Sequence, residues 1–451
     1  MRKIFISFLS LLLIFSVCAA PIAGSAAYPL PDIEVSSKYI YMVNVDTDTV
    51  VFDVDSHVKA YPASTTKIMT CLVAMKHCPD LANTMVTVNP KALSDLWGTD
   101  SSVAGLKSGE VMSMLDMLYC LMLPSGNDAA LAIAYFLSPD GTIASFVEMM
   151  NDEAQALGCN DTHFANPHGL HDDDHYTTAY DLYLIAREAM NFPVFKEIVK
   201  TQSYTIYPTN LSKQRSIANT NYMLNRFRES YYAPTTGIKT GSTSKAGYCL
   251  VSSASKNGFT YILVTLNAPM EKYGLNLCFA DAKKIFMWSF NNLTLTQVVT
   301  EGEIIAEVPV ELAWNIDHVS LAPVSDYKAL LPKTVSPSSV LVEIEKEAKV
   351  TAPVKQGDIL GKATLIYANS VIGEVELAAT EDIERSQFLY ILSVASKIVT
   401  SPIFIICMVS VVALVAAYIA LVRVKNKKNY NRHKHFSAKY GGGSYNDRRY
   451  Y

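Results

Sequence analysis

The chain has no G-x-G-x-x-G turn and no phosphate loop, so it lacks the signatures of dinucleotide- and nucleotide-binding α/β folds. Its eight cysteines form no C-x-x-C pair and have no His set at zinc spacing beside them, so neither a metal nor a cofactor is expected. No repeat of fixed period stands out. Surplus positive charge is also missing from the body of the chain. The net charge is -4, yet both ends are basic: Arg2 and Lys3 open the chain, and nine Lys or Arg against one Asp close it from Arg423. Residues 28–422 hold 27 basic and 41 acidic residues. That balance argues against nucleic acid as a partner, because phosphate binding needs a basic surface.

Two segments have little or no charge. After Arg2 and Lys3, an apolar run from Ile4 to about Ala20 ends in small residues, the pattern of a secretory signal over residues 1–27. Cleavage is expected after Ala27, with Ser25 two residues before it. Cys18 invites a lipoprotein reading, but Val17 stands before it where a small residue belongs. The second segment, Ile403 to Val422, is 20 residues without a charge, the length of a bilayer core. A buried core helix is the alternative. The basic stop at Arg423, Lys425, Lys427 and Lys428 favours a span with a cytoplasmic tail over residues 423–451, and it places the body outside the membrane.

At 451 residues, half of them hydrophobic, the chain has room for two or three domains and a sizeable core. Tyr39 to Val54 reads as a hairpin around Asp46-Thr47-Asp48-Thr49. A buried helix is expected to start at Ser64 after Pro62. Residues 103–157 read as mostly helical, Thr178–Met190 as helix, Gly247–Asn267 as strands, and Gly274–Phe290 as a closing helix. These make an α+β domain over residues 28–290. Short Val/Ile runs with Gly and Pro turns follow, a small all-β domain over 291–384. An amphipathic segment, 385–402, leads to the span at 403–422.

Three short patterns bear on chemistry. In Ser64-Thr65-Thr66-Lys67, positions i and i+3 share a helix face, so hydroxyl and amine can meet. A serine hydroxyl needs a base, and a lysine serves only if burial and nearby positive charge lower its pKa. The bland alternative is a helix start with a solvated lysine. In Ser125-Gly126-Asn127, hydroxyl and amide can serve one site, or either can simply cap the next helix. In Lys239-Thr240-Gly241, followed by Ser242, a cation and a hydroxyl can bind a carboxylate, and the glycine lets a substrate backbone approach a strand edge. The alternative there is an exposed Gly-rich turn. His168, His171 and His175 with Asp172 to Asp174 look like a metal cluster, but they lie in a loop with another explanation. Tyr119 and Trp288 read as core.

The three patterns in this order resemble the signature of penicillin-binding proteins and serine β-lactamases. Tyr61-Pro62-Ala63-Ser64-Thr65-Thr66-Lys67, Ser125-Gly126-Asn127-Asp128-Ala129-Ala130, Phe164-Ala165-Asn166-Pro167-His168-Gly169-Leu170 and Gly237-Ile238-Lys239-Thr240-Gly241-Ser242 are similar to the low-molecular-mass D-alanyl-D-alanine carboxypeptidases. The resemblance covers about residues 28–395. It implies a transpeptidase-like fold, an antiparallel sheet flanked by helices with a helical subdomain. It implies Ser64 as nucleophile, Lys67 as proton acceptor, Ser125 as relay and Asn127 as the group ordering Lys67. Lys239 and Thr240 would hold the terminal carboxylate, with Gly241 beside them, and the N–H groups of Ser64 and Ser242 would form the oxyanion hole. The implied partners are peptidoglycan stem peptides, and β-lactams as covalent inhibitors. A β-lactamase, a D,D-endopeptidase and a non-catalytic β-lactam sensor share these groups. Class A β-lactamases use a loop Glu, and Asn166 to Tyr180 contains none.

Overall fold

The computed structural model describes residues 33–99, 101–270 and 276–440, with side chains as far as 431. The expected signal at 1–27, with Cys18 and Ala27, lies outside the described residues, as do residues 441–451 of the tail.

β1 (Tyr39–Asn44) and β2 (Thr49–Val54) form the expected antiparallel hairpin. The helix expected at Ser64 begins instead as a 3-10 turn, Ala63–Thr66, which leads into α1 (Lys67–His77). The hydroxyls of Thr65 and Thr66 donate to the carbonyls of Pro62 and Ala63 at 2.7 and 2.8 Å, and bonds of that reach favour the tighter winding. β3 (Met85–Thr87), α2 (Pro90–Ser94) and β4 (Val111–Ser113) follow. Residues 103–157 are therefore helical only from Met114. Gly105 and Gly109, both at φ 75°, break the segment before it. Ser113 then caps α3 (Met114–Met122) by accepting from Asp116 N. α4 (Asn127–Leu137), α5 (Ile143–Ala156), α6 (Ala179–Ala189) and α7 (Pro193–Lys200) complete the helical region. The hairpin of β5 (Ser203–Ile206) and β6 (Arg215–Ala218) comes next.

β7 (Thr235–Thr243), β8 (Gly247–Lys256) and β9 (Phe259–Ala268) form an antiparallel meander, followed by α8 (Leu277–Asn292) and β10 (Leu293–Val299). The five-stranded sheet runs β2-β1-β9-β8-β7 and leaves β7 at an edge. Strand alternation divides the core in two. Ile40, Met42, Leu250 and Leu263 pack with Ile285 and Phe286 of α8. Tyr41, Val43, Val251 and Val264 pack with the helices on the other face. α1 is central to that second layer: every residue from Lys67 to Met75 is buried. Tyr119 is buried, stacked on Tyr204, and the partly buried Trp288 meets Phe52 edge-on.

The β-rich stretch starts at Leu293, close to the expected change at 291, with β11 (Ala306–Glu311), β12 (His318–Pro323), β13 (Tyr327–Pro332), β14 (Leu341–Lys346), β15 (Val350–Thr351), β16 (Ile359–Tyr367) and β17 (Ser370–Ala379). Compactness divides the chain within this stretch. One unit takes the residues up to Glu301 with Ser325–Glu343 and Ala363–Val375, so that β10 pairs with β13 inside it. The other takes Gly302–Val324, Ile344–Lys362 and the residues from Glu376, and in it β12 pairs with β11 and with the end of β17. α9 (Gln387–Val399) and α10 (Pro402–Tyr440) belong to this second unit. Residues 402–431 of α10, with mean hydropathy 2.9, make it the one described helix long and apolar enough to cross a membrane.

The buried Asp281 of α8 joins the start of the described chain to the sheet layer. Its carboxylate accepts from Ser37 N at 2.8 Å, from Ser37 Oγ at 2.6 Å and from Ser36 N at 3.1 Å. Asp281→Ala leaves those donors unpaired and is expected to cost about 2–3 kcal/mol, read as a lowered denaturant midpoint. An unchanged midpoint would contradict this assignment.

Candidate active site

The three patterns converge. Ser64 sits in the 3-10 turn, Ser125 and Asn127 flank the start of α4, and Lys239 to Ser242 lie on β7. Lys67 Nζ is 3.0 Å from Ser64 Oγ, 2.6 Å from Asn127 Oδ1 and 2.6 Å from the His168 carbonyl. The last two oxygens only accept, whereas a hydroxyl can also donate. An ammonium would donate to all three; a neutral amine would donate to Asn127 and His168 and accept from Ser64. The surroundings favour that form. Lys67 is fully buried, and burial holds its pKa well below the usual lysine range. The charge of Lys239 pushes the same way, and Asp128 opposes it.

Lys239 is 1% exposed, and burial lowers it to about 7. Its Nζ donates to the Thr240 carbonyl at 3.1 Å. The Thr240 and Thr220 hydroxyls are 2.7 Å apart. Ser125 Oγ is buried and has no hydrogen-bond partner among the described residues, so it is free for an incoming group. Ser64 is half-buried, and together with Ser125, Thr240, Gly241 and Ser242 it lines a cleft of about 870 Å³.

Close backbone packing sets these positions. A Cβ on Gly241 would lie 2.8 Å from Ser64 N and 3.0 Å from Thr65 N, so only glycine lets β7 approach the backbone of the turn this closely. A Cβ on Gly169, at φ 88°, would lie 1.9 Å from the Ala63 carbonyl oxygen. Ala63 and Ser125 both hold positive φ, 48° and 62°, a left-handed backbone that non-glycine residues rarely adopt.

Sequence reasoning found every side chain around Lys67 but missed three supporting groups. The His168 carbonyl is a backbone group that no residue type announces. The buried Asp128 carboxylate accepts from Ala104 N and Leu106 N, tying residues 104–106 to α4. Thr220 lies in a segment without a motif. The histidine loop is a hydrogen-bonded wall. His175 Nδ1 accepts from Ala165 N at 2.9 Å, and its Nε2 meets Thr66 Oγ1 at 2.7 Å. Burial lowers His175 to about 4 and His168 to about 3, so both rings are neutral near pH 7. Among the described residues no group of three His, Cys, Asp or Glu is placed to hold a metal ion.

A family model described as D-alanyl-D-alanine carboxypeptidase matches residues 24–270, more than half of the chain. The chain belongs to the D-alanyl-D-alanine carboxypeptidase family. It carries that family's transpeptidase fold and is a serine-type hydrolase. A second model, penicillin-binding protein 5, C-terminal domain, matches residues 294–385 of this carboxypeptidase. It is 30% identical over 358 residues to D-alanyl-D-alanine carboxypeptidase DacF of Bacillus subtilis (strain 168), covering 78% of this chain and 87% of that one. Among solved structures, penicillin binding protein 5 from Haemophilus influenzae is similar with a TM-score of 0.64 at 27% identity, covering 79% of this chain and all of that one. The Streptomyces K15 DD-transpeptidase is similar with a TM-score of 0.54 at 30% identity, covering 58% of this chain and 99% of its own.

Because Gly169 packs against the backbone that carries Ser64, Gly169→Ala is expected to displace Ser64. Misplacement on the ångström scale can cost about a hundredfold, so the rate of Ser64 acylation by a fluorescent penicillin should fall by about that factor. A normal rate would show that this contact does not hold the turn.

Proposed function

We propose that this enzyme removes the terminal D-alanine from peptidoglycan pentapeptides through an acyl-enzyme on Ser64. The observation that carries this reading is the Lys67 amine held between Ser64 Oγ and two acceptor oxygens in a buried site. Ser64 Oγ attacks the carbonyl carbon of the penultimate D-alanine and passes its proton to Lys67 Nζ. The oxyanion is held by the N–H groups of Ser64 and Ser242, each donor contributing roughly 3–4 kcal/mol. The C–N bond then breaks. The departing amine takes a proton through Ser125, leaving an ester on Ser64. A water attacks that ester and gives a proton to Lys67, the C–O bond to Ser64 breaks as Lys67 returns that proton to Ser64 Oγ, and the acid product leaves as its carboxylate with its remaining proton passed to solvent. Asn127 orders Lys67, while Lys239 and Thr240 hold the terminal carboxylate. β-Lactams acylate Ser64 by the same route.

The topology extends this reading. α10 spans the membrane once, with Arg423, Lys425, Lys427 and Lys428 on the cytoplasmic side and the catalytic unit outside. α9 is apolar and solvent-facing, with Phe388, Ile391 and Val399 more than half exposed, and it lies against the lipid surface.

Ser64→Ala in the full chain is expected to abolish D-alanine release from a pentapeptide ending in D-Ala-D-Ala, and Lys67→Ala to be nearly as damaging. Unchanged turnover in either variant would overturn the assignment. A pH profile tests the two lysines. Activity needs Lys67 neutral and Lys239 charged, so kcat/KM should fall as pH rises above about 7, where free Lys239 loses its proton. kcat should persist to higher pH, because a bound carboxylate favours the ammonium. Lys239→Arg, which stays charged, should remove that alkaline limb.

A further inference from the structure

Resting on the peptidase reading above, the geometry points to a second recognition surface in the same cleft, an anion-binding wall that takes a free carboxylate on the stem peptide ahead of its D-alanines. The cleft extends past the nucleophile. From Ser64 and Ser125 it passes Thr240, Gly241 and Ser242 on the edge strand β7 and reaches Tyr222, Arg228, Phe279 and Lys283. A peptide lying along an edge strand turns successive side chains to opposite sides. One side of this substrate therefore meets the catalytic groups, and the other meets the wall made by residues 222–230 and α8.

That wall is cationic on an acidic body. Arg228, Lys283 and Lys284 line it, against a single acid, Glu229, among the described lining residues. The wall is also built. Tyr222 packs on Phe279 with ring centroids 6.0 Å apart, and the Arg228 guanidinium sits 4.5 Å over the Tyr222 ring. Lys283 Nζ donates to the Glu229 carbonyl and Lys284 Nζ to the Glu34 carbonyl, each at 3.0 Å. These partners are neutral carbonyls. None of the three cations forms a salt bridge among the described residues. Their charge is left for a ligand, and the terminal D-alanine carboxylate is already assigned to Lys239. A stem peptide with a second free carboxylate matches the wall. One amidated there loses the attraction, and one with a cationic side chain there is repelled.

The test uses the full chain in detergent and two pentapeptides that differ only in a carboxylate or a carboxamide on the residue before D-Ala-D-Ala. The acid is expected to show a kcat/KM about fivefold higher at low ionic strength, the ratio an exposed charge contact can supply, and salt should shrink it. The paired substitution Arg228→Gln, Lys283→Gln and the single Lys283→Glu each bring the formal charge of the wall to zero, and each should bring the ratio close to one. Labelling of each variant by one equivalent of penicillin verifies an intact Ser64 site. A ratio of one in the unaltered enzyme, or a preference that survives both variants, would overturn the wall. If neither peptide loses D-alanine, the peptidase reading has failed, and protection of Ser64 from penicillin decides the wall separately. Stronger protection by the acid supports it, and equal or absent protection overturns it.

Discussion

A lysine amine whose charged form burial disfavours, set 3.0 Å from the Ser64 hydroxyl, is the constraint on which the site depends. Nothing in Lys67 itself produces that state. It comes from α1 being buried along nine successive residues among α3, α4, α5 and α6, so that the side chain at its first position is fully buried. The three oxygens around Nζ come from three separate places, a 3-10 turn, the first residue of α4 and a loop carbonyl. The second buried lysine, on β7, adds a like charge that a bound carboxylate would compensate.

The backbone carries the complementary constraint. Ala63 and Ser125 hold left-handed conformations next to the reacting groups, and Gly169 and Gly241 let chain pass where a methyl group could not fit. Such conformations persist when the packing around them is over-determined, and here it is. Asp128 ties residues 104–106 to α4 by two backbone bonds, and Glu110 is fully buried under Arg215 and Thr209, pairing at 2.8 Å with each.

Much of this was legible in the sequence, for reasons that differ by element. The 39–54 hairpin, α6 and the β8–β9 pair announce themselves through alternation or helical periodicity. Ser64, Lys67, Ser125, Asn127 and Lys239 were visible as short patterns, but only their order gave them weight, since each alone has an ordinary structural explanation. Residues 103–113 adjoin a segment of mostly helical pattern, but Gly105 and Gly109 at positive φ keep them out of the helix. The His168 carbonyl and the Thr220–Thr240 contact were not legible, because a backbone oxygen and a lone threonine carry no pattern. The dividing line in the β-rich stretch was hidden for another reason: β10 and β13 are strands by composition, and only packing shows that they belong with the unit that holds the sheet.

The cysteines carry a consequence for oxidative chemistry. Cys71, Cys78, Cys120, Cys159, Cys249 and Cys278 are buried and unbridged. Burial pushes the thiols of Cys71, Cys120 and Cys159 upward, that of Cys249 up to about 12 and that of Cys278 to about 11. Oxidants and exchanging disulfides attack the thiolate, a form that Cys71, Cys120, Cys159, Cys249 and Cys278 scarcely populate. Burial thus makes these five thiols poor targets for oxidation or exchange in the folded catalytic unit.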